Sequence, residues 1–81
     1  MDARQLLSMR NRKPFAPFRI IVSDGRTYDV RHLELLLVGR ASSTIGVADK
    51  DEDYVLADHF VWIDNDHITT TIPLTVTDQV G

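Results

Sequence analysis

Apolar and polar positions alternate most regularly between Phe18 and Val30. Phe18-Arg19-Ile20-Ile21-Val22 has the β-branched and aromatic composition that suits a half-buried strand. Asp24-Gly25 interrupts it and Arg26 to Val30 resumes the alternation, which is a hairpin signal. Register follows from the pattern. A two-residue Asp24-Gly25 loop would set Ile20 against Asp29 and Arg19 against Val30. A three-residue loop, Ser23-Asp24-Gly25, instead pairs Val22 with Arg26, Ile20 with Tyr28 and Phe18 with Val30. That register gathers Phe18, Ile20, Val22, Tyr28 and Val30 on one face and sets Arg19 opposite Asp29 on the other. The three-residue loop is therefore predicted, with Gly25 left-handed because it carries no Cβ.

The flanking pattern fills in the remaining elements. Asp2 caps a helix with Gln5 in the capping-box position, Ala3, Leu6 and Leu7 supply an apolar stripe, and Pro14 ends it. So short a helix must dock on a sheet to persist. Pro14 to Phe18 reads as an extended connector whose rings wedge between helix and sheet. After a corner at Arg31-His32-Leu33-Glu34, Leu35 to Val38 and Phe60 to Ile63 are apolar without alternation, so each strand needs cover on both faces. Between them lie a turn at 39–43, a strand at 44–48, an acidic loop at 49–53, and a segment, Tyr54 to Asp58, that reads as loop or short helical turn. Ile68, Thr70, Ile72 and Leu74 alternate in a last strand, whose Pro73 suits an edge. The fold expected is α+β, mainly β: a short N-terminal helix before a five- to six-stranded antiparallel bent sheet or small SH3/Sm-like barrel.

At 81 residues the chain is one domain, and its 43% apolar content is that of a globular protein. It has no cysteine, which excludes disulfides and thiolate chemistry, and no cofactor is indicated. No run approaches transmembrane length and no signal-peptide core is present, so a cytoplasmic protein without membrane contact is expected. The net charge of −3 is split: residues 1–40 hold eight Lys and Arg against four acids, and residues 41–81 hold Lys50 against eight. Such a split suits a nucleic-acid face, a head-to-tail partner, or two halves that neutralise each other.

Two resemblances bear on the order of segments. PFAPFRIIVSDGRTYDVRH and the later IDNDHITTTIPL resemble a family of short uncharacterised bacterial proteins with a P-F-x-P-F-x-I, D-G-R, aromatic-x-V, H-P-E and D-x-x-H-I pattern. Leu33 stands where that family usually has proline. The family carries no established activity, so the resemblance implies the order of the segments and not a function. More faintly, the helix followed by IIVSDGRTYDV resembles Sm-like proteins, whose bent five-stranded barrels form RNA-binding rings. Asp29 and Val30 stand where their glycine is expected, and the loop that holds RNA bases is shortened around Leu33 to Leu35.

Candidate chemistry is sparse. Asp49, Asp51 and Asp53 match the first ligand positions of a calcium loop, but Tyr54 and Phe60 occupy the places of its glycine and glutamate. Alternation puts His32 and Glu34 on one side of a strand, but this pair, like Asp64 with Asp66 and His67, falls short of a zinc set. No phosphate loop, nucleophile elbow or metalloprotease helix is present, so an enzyme is not expected. The residues nominated for nucleic-acid or partner binding are Arg19, Arg26, Arg31, His32 and Arg40. A phosphate-binding face is opposed by the interleaved Asp24 and Asp29, and Tyr28 reads as core and not as a base-stacking ring. The favoured expectation is a non-catalytic module that contacts an unknown protein partner or itself as a homo-oligomer. An Sm-like nucleic-acid binder is the alternative.

Overall fold

The computed structural model describes residues 1–49 and 55–74. One helix, α1 (Ala3–Arg10), precedes six antiparallel strands: β1 (Phe18–Val22), β2 (Thr27–Val30), β3 (Leu36–Val38), β4 (Ser42–Val47), β5 (His59–Asp64) and β6 (Ile68–Pro73). They form two three-stranded sheets, β2-β1-β6 and β3-β4-β5. The acidic loop and Tyr54 lie outside the described residues apart from Asp49. None of the described helices is long and apolar enough to cross a membrane.

The hairpin has the three-residue loop that patterning predicts. Phe18 pairs with Val30, Arg19 with Asp29 and Ile20 with Tyr28. The Val22 amide donates to the Arg26 carbonyl at 2.9 Å, and Gly25 sits at φ 95°. The capping box is also in place: the Arg4 amide donates to Asp2 Oδ1 at 3.2 Å, and the Asp2 amide donates to Gln5 Oε1 at 3.0 Å. Arg10 fastens the helix to the second sheet, its Nε donating to the Leu36 carbonyl at 2.6 Å.

One core joins every element. Leu6, Phe18, Ile20, Val22, Val30, Leu36, Ile45, Ile63 and Ile68 are buried together, and Phe15 packs against them with its ring 6.0 Å from that of Phe18. A buried polar group holds the turn before β4. Asn65 Oδ1 accepts from the Ser43 hydroxyl at 2.7 Å, and its Nδ2 donates to the Gly39 carbonyl at 2.9 Å and the Arg40 carbonyl at 3.3 Å.

Three readings of the sequence are corrected. The 39–43 turn is shorter, because Ser42 and Ser43 already pair with Asp64 and Ile63 of β5. His32 and Glu34 do not share a strand face: His32 caps a 3-10 turn at Leu33–Leu35 that contains Glu34. Finally, β6 does not hold a simple alternation. The β1–β6 register shifts between Ile21 and Val22, so Ile68 meets Val22 but Thr70 meets Ile21. The extra residue, Thr69, reverses the side-chain phase. Thr71 therefore turns inward to Met9, at 2.9 Å from its sulfur, while Ile72 lies half-exposed beside Arg19.

Candidate functional site

Three of the four arginines picked out in the sequence, Arg19, Arg26 and Arg31, each meet an acid. Arg19 grips Asp29 with two nitrogens, Nε to Oδ1 at 2.7 Å and Nη2 to Oδ2 at 3.3 Å, and Arg31 reaches the same carboxylate at 3.4 Å. The Arg19 hydrogen bond, partly opposed by burial and aided by the charges of Arg19 and Arg31, holds the Asp29 carboxyl below the usual carboxylate range. Arg26 lies 2.9 Å from Asp24. A hydrogen bond to the Tyr28 hydroxyl and the charge of Asp24 strengthen its hold on the proton, and the Arg26 amide in turn depresses Asp24. Arg40 is exposed in the β3–β4 turn, on the other sheet from Arg19 and Arg26. His32 is partly buried at the corner. The five residues do not make one cationic face: three are engaged with carboxylates, and the set is spread over both sheets and the corner between them.

The second sheet carries a different feature. Its inner side sends Leu36, Ile45 and Ile63 into the core. Side chains alternate along a strand, so Leu37, Thr44, Phe60 and Trp62 point the other way. Leu37 pairs with Thr44, Thr44 with Trp62, and Gly46 with Phe60. Leu37, Phe60 and Trp62 are 70%, 70% and 77% exposed. The cover that the two apolar runs call for is not supplied to this face by any described residue, and Phe60 and Trp62 are exposed aromatics that Tyr28 alone did not suggest.

This face is built, not merely left over. A Cβ placed on Gly46 would lie 2.9 Å from Leu35 Cδ2, 3.0 Å from Ala57 Cβ and 3.4 Å from Phe60 Cε1. Three apolar groups thus close over the one position in β4 that lacks a side chain, an arrangement that shields glycine backbone in sheets. Val55 and Leu56, both partly exposed, extend the apolar surface beyond Ala57. Around it the residues of the second sheet and its connections, 33–49 and 55–64, carry four carboxylates (Glu34, Asp49, Asp58 and Asp64) and one arginine, Arg40.

A cleft of about 350 Å³ lies at the side of this sheet, between β5 and the tip of the first hairpin, with Trp62, Tyr28, Arg26, Asp24 and His67 on its walls. Among the described residues no three potential ligands come together to hold a metal ion.

The residues of the exposed face escaped nomination because LLLV and FVWI read equally well as strands buried on both sides. A signal was available in β4. Ser42, Thr44 and Gly46 alternate with Ser43, Ile45 and Val47. A small, polar second face on the central strand marks a sheet side that its own core does not use. No protein-family model matches the chain, no curated protein matches it, and no solved structure matches it.

Proposed function

We propose that this chain is a non-catalytic interaction module whose outer β3-β4-β5 face docks on another protein surface. One observation carries the reading: three large apolar side chains stand 70–77% exposed in register on one sheet face. Single exposed apolar residues are ordinary, but a contiguous apolar patch of a few hundred Å² on a monomer is often functional. Such a face also drives weak self-association at high concentration when no partner is present, in keeping with a homo-oligomeric tendency. Sedimentation velocity and an apolar-dye titration test the reading on the wild type and on Leu37→Ser/Trp62→Ser. Dye binding or concentration-dependent association, lost in the double variant, is the expected result. A wild type that remains monomeric at millimolar concentration and binds no dye overturns it.

A second reading, an Sm-like barrel that binds single-stranded RNA, draws its support from Phe60 and Trp62. Exposed aromatics two residues apart on a sheet can stack successive bases. Arg19, Arg26, Arg31 and Arg40 would then be the phosphate contacts. The acids already bound to Arg19, Arg26 and Arg31, and the four carboxylates around the aromatic face, weigh against it. Fluorescence anisotropy of labelled single-stranded RNA at low and near-physiological salt separates the two. Binding that weakens steeply with salt favours the RNA reading.

A further inference from the structure

Resting on the docking reading above, we infer that the occupant of this face is a short amphipathic helix of another protein, apolar along one stripe and flanked by Lys or Arg. Three observations lead there. The first is charge. Among the described residues, the second sheet and its connections hold Glu34, Asp49, Asp58 and Asp64 against Arg40, and the one further arginine beside Trp62, Arg26, is already paired with Asp24. A second copy laid face to face would bring acid against acid, whereas a basic-flanked segment meets opposite charge on its rim.

The second observation is area. Phe60 and Trp62 each offer on the order of 150–200 Å² and Leu37 somewhat less, so the patch provides roughly 500 Å². A stable pairing of two folded surfaces buries about 800 Å² on each side. A patch of this size is short for an enduring homodimer and adequate for a single element seated by a few anchors.

The third is spacing. Leu37 and Trp62 lie two strands apart, roughly 9–10 Å, and Phe60 is about 7 Å from Trp62 along β5. Residues two turns apart on a helix are separated by roughly 10–11 Å, so the i and i+7 positions of a stripe laid across the strands meet Leu37 and Trp62, with Phe60 flanking the helix on one side.

The test uses two fluorescein-labelled 18-residue helical peptides with the same leucine stripe, one flanked by lysines and one by glutamates. Each is titrated into the whole protein at low and moderate salt. Emission from Trp62, the single tryptophan, is followed in parallel. The lysine peptide is expected to bind at least about tenfold more tightly at low salt, to weaken as salt rises, and to shift Trp62 emission to the blue. Glu34→Gln/Asp64→Asn should remove most of that preference and leave the leucine-dependent binding.

Equal or tighter binding of the glutamate peptide overturns the inference about the occupant. So does a wild type that forms a dimer below micromolar concentration, which assigns the face to a second copy, and so does tighter binding of single-stranded RNA. In the first two cases the docking reading survives if Leu37→Ser/Trp62→Ser abolishes the contact, and in the third the RNA reading replaces it. Lysine-peptide binding unchanged in Leu37→Ser/Trp62→Ser overturns the docking reading itself.

Discussion

Gly46→Ala tests the most specific packing claim made for the exposed sheet. In an ordinary strand this change stabilises, because glycine loses more backbone freedom on folding, and relief of that cost is worth about 0.5–1 kcal/mol. Here the added methyl would stand 2.9 Å from Leu35 Cδ2 and 3.0 Å from Ala57 Cβ. Carbon atoms without a bond between them rest at about 3.5–4.0 Å, so both neighbours must retreat by about half an ångström or more. Leu35 Cδ2 ends a rotatable side chain, although that residue is buried. The Ala57 Cβ has no rotamer to change, so its backbone must move with it. Overpacking of this kind costs about 1–3 kcal/mol. The net expectation is a destabilisation of about 1–2 kcal/mol.

In a domain of this size each kcal/mol moves the melting midpoint by about 4–8 °C, so Tm should fall by roughly 5–15 °C and the urea midpoint by about 1 M. Circular dichroism against temperature and urea reads both. Gly25→Ala is the companion control. Nothing lies within 4 Å of its added methyl, but its φ of 95° disfavours any side chain, and it should cost about 1–2 kcal/mol through backbone strain alone. The two glycines separate cleanly: trimming Leu35 to alanine should recover part of the Gly46→Ala loss and none of the Gly25→Ala loss. A Gly46→Ala protein as stable as the wild type, alongside a weakened Gly25→Ala, would refute the claim that Leu35, Ala57 and Phe60 close over β4.

Other parts of the structure give equally direct expectations. Asn65→Ala removes the partner of the Ser43 hydroxyl and of two backbone carbonyls in the 39–41 turn, and should cost about 2–4 kcal/mol in urea denaturation. Asp29, whose carboxyl pKa is lowered in the fold by Arg19, binds its proton more readily in the unfolded chain. Its contribution is therefore present above the ordinary carboxylate range and is lost as pH falls through the folded value, so stability should decline on acidification. Asp29→Asn should flatten that decline below about pH 4, as read by urea midpoints at successive pH values. Trp62→Ser removes a side chain 77% exposed and should change stability by less than about 0.5 kcal/mol while reducing apolar-dye binding.

The hairpin was legible because two independent constraints agree on it. Only one register puts Phe18, Ile20 and Val22 on the core side, and the same register places Arg19 against Asp29. The helix cap was legible for a similar reason, since Asp2 and Gln5 satisfy each other's orphan groups at a fixed spacing. Asn65 was not, because an asparagine between two aspartates reads as turn chemistry, and only the tertiary fold brings Ser43 and Gly39 to it. The phase of β6 was hidden for a third reason. A bulge at Thr69 follows from how the strand meets β1, and Ile-Thr-Thr-Thr-Ile carries no local mark of the extra residue.

The runs LLLV and FVWI show where reading a strand alone stops and reading a sheet begins. Each is apolar on both sides, and nothing within either run separates the side that meets the core from the side that meets another molecule. The neighbour in the sheet makes that separation. Because β4 pairs with both runs, its polar and apolar faces are imposed on them: Ile45 defines the inward side shared with Leu36 and Val61, while Thr44 and Gly46 define the outward side shared with Leu37, Trp62 and Phe60. An apolar side chain opposite threonine and glycine on a central strand gains little from its own fold. Its presence there in triplicate, around a glycine shielded by Phe60, Leu35 and Ala57, has a physical account if that face is covered by something beyond this chain.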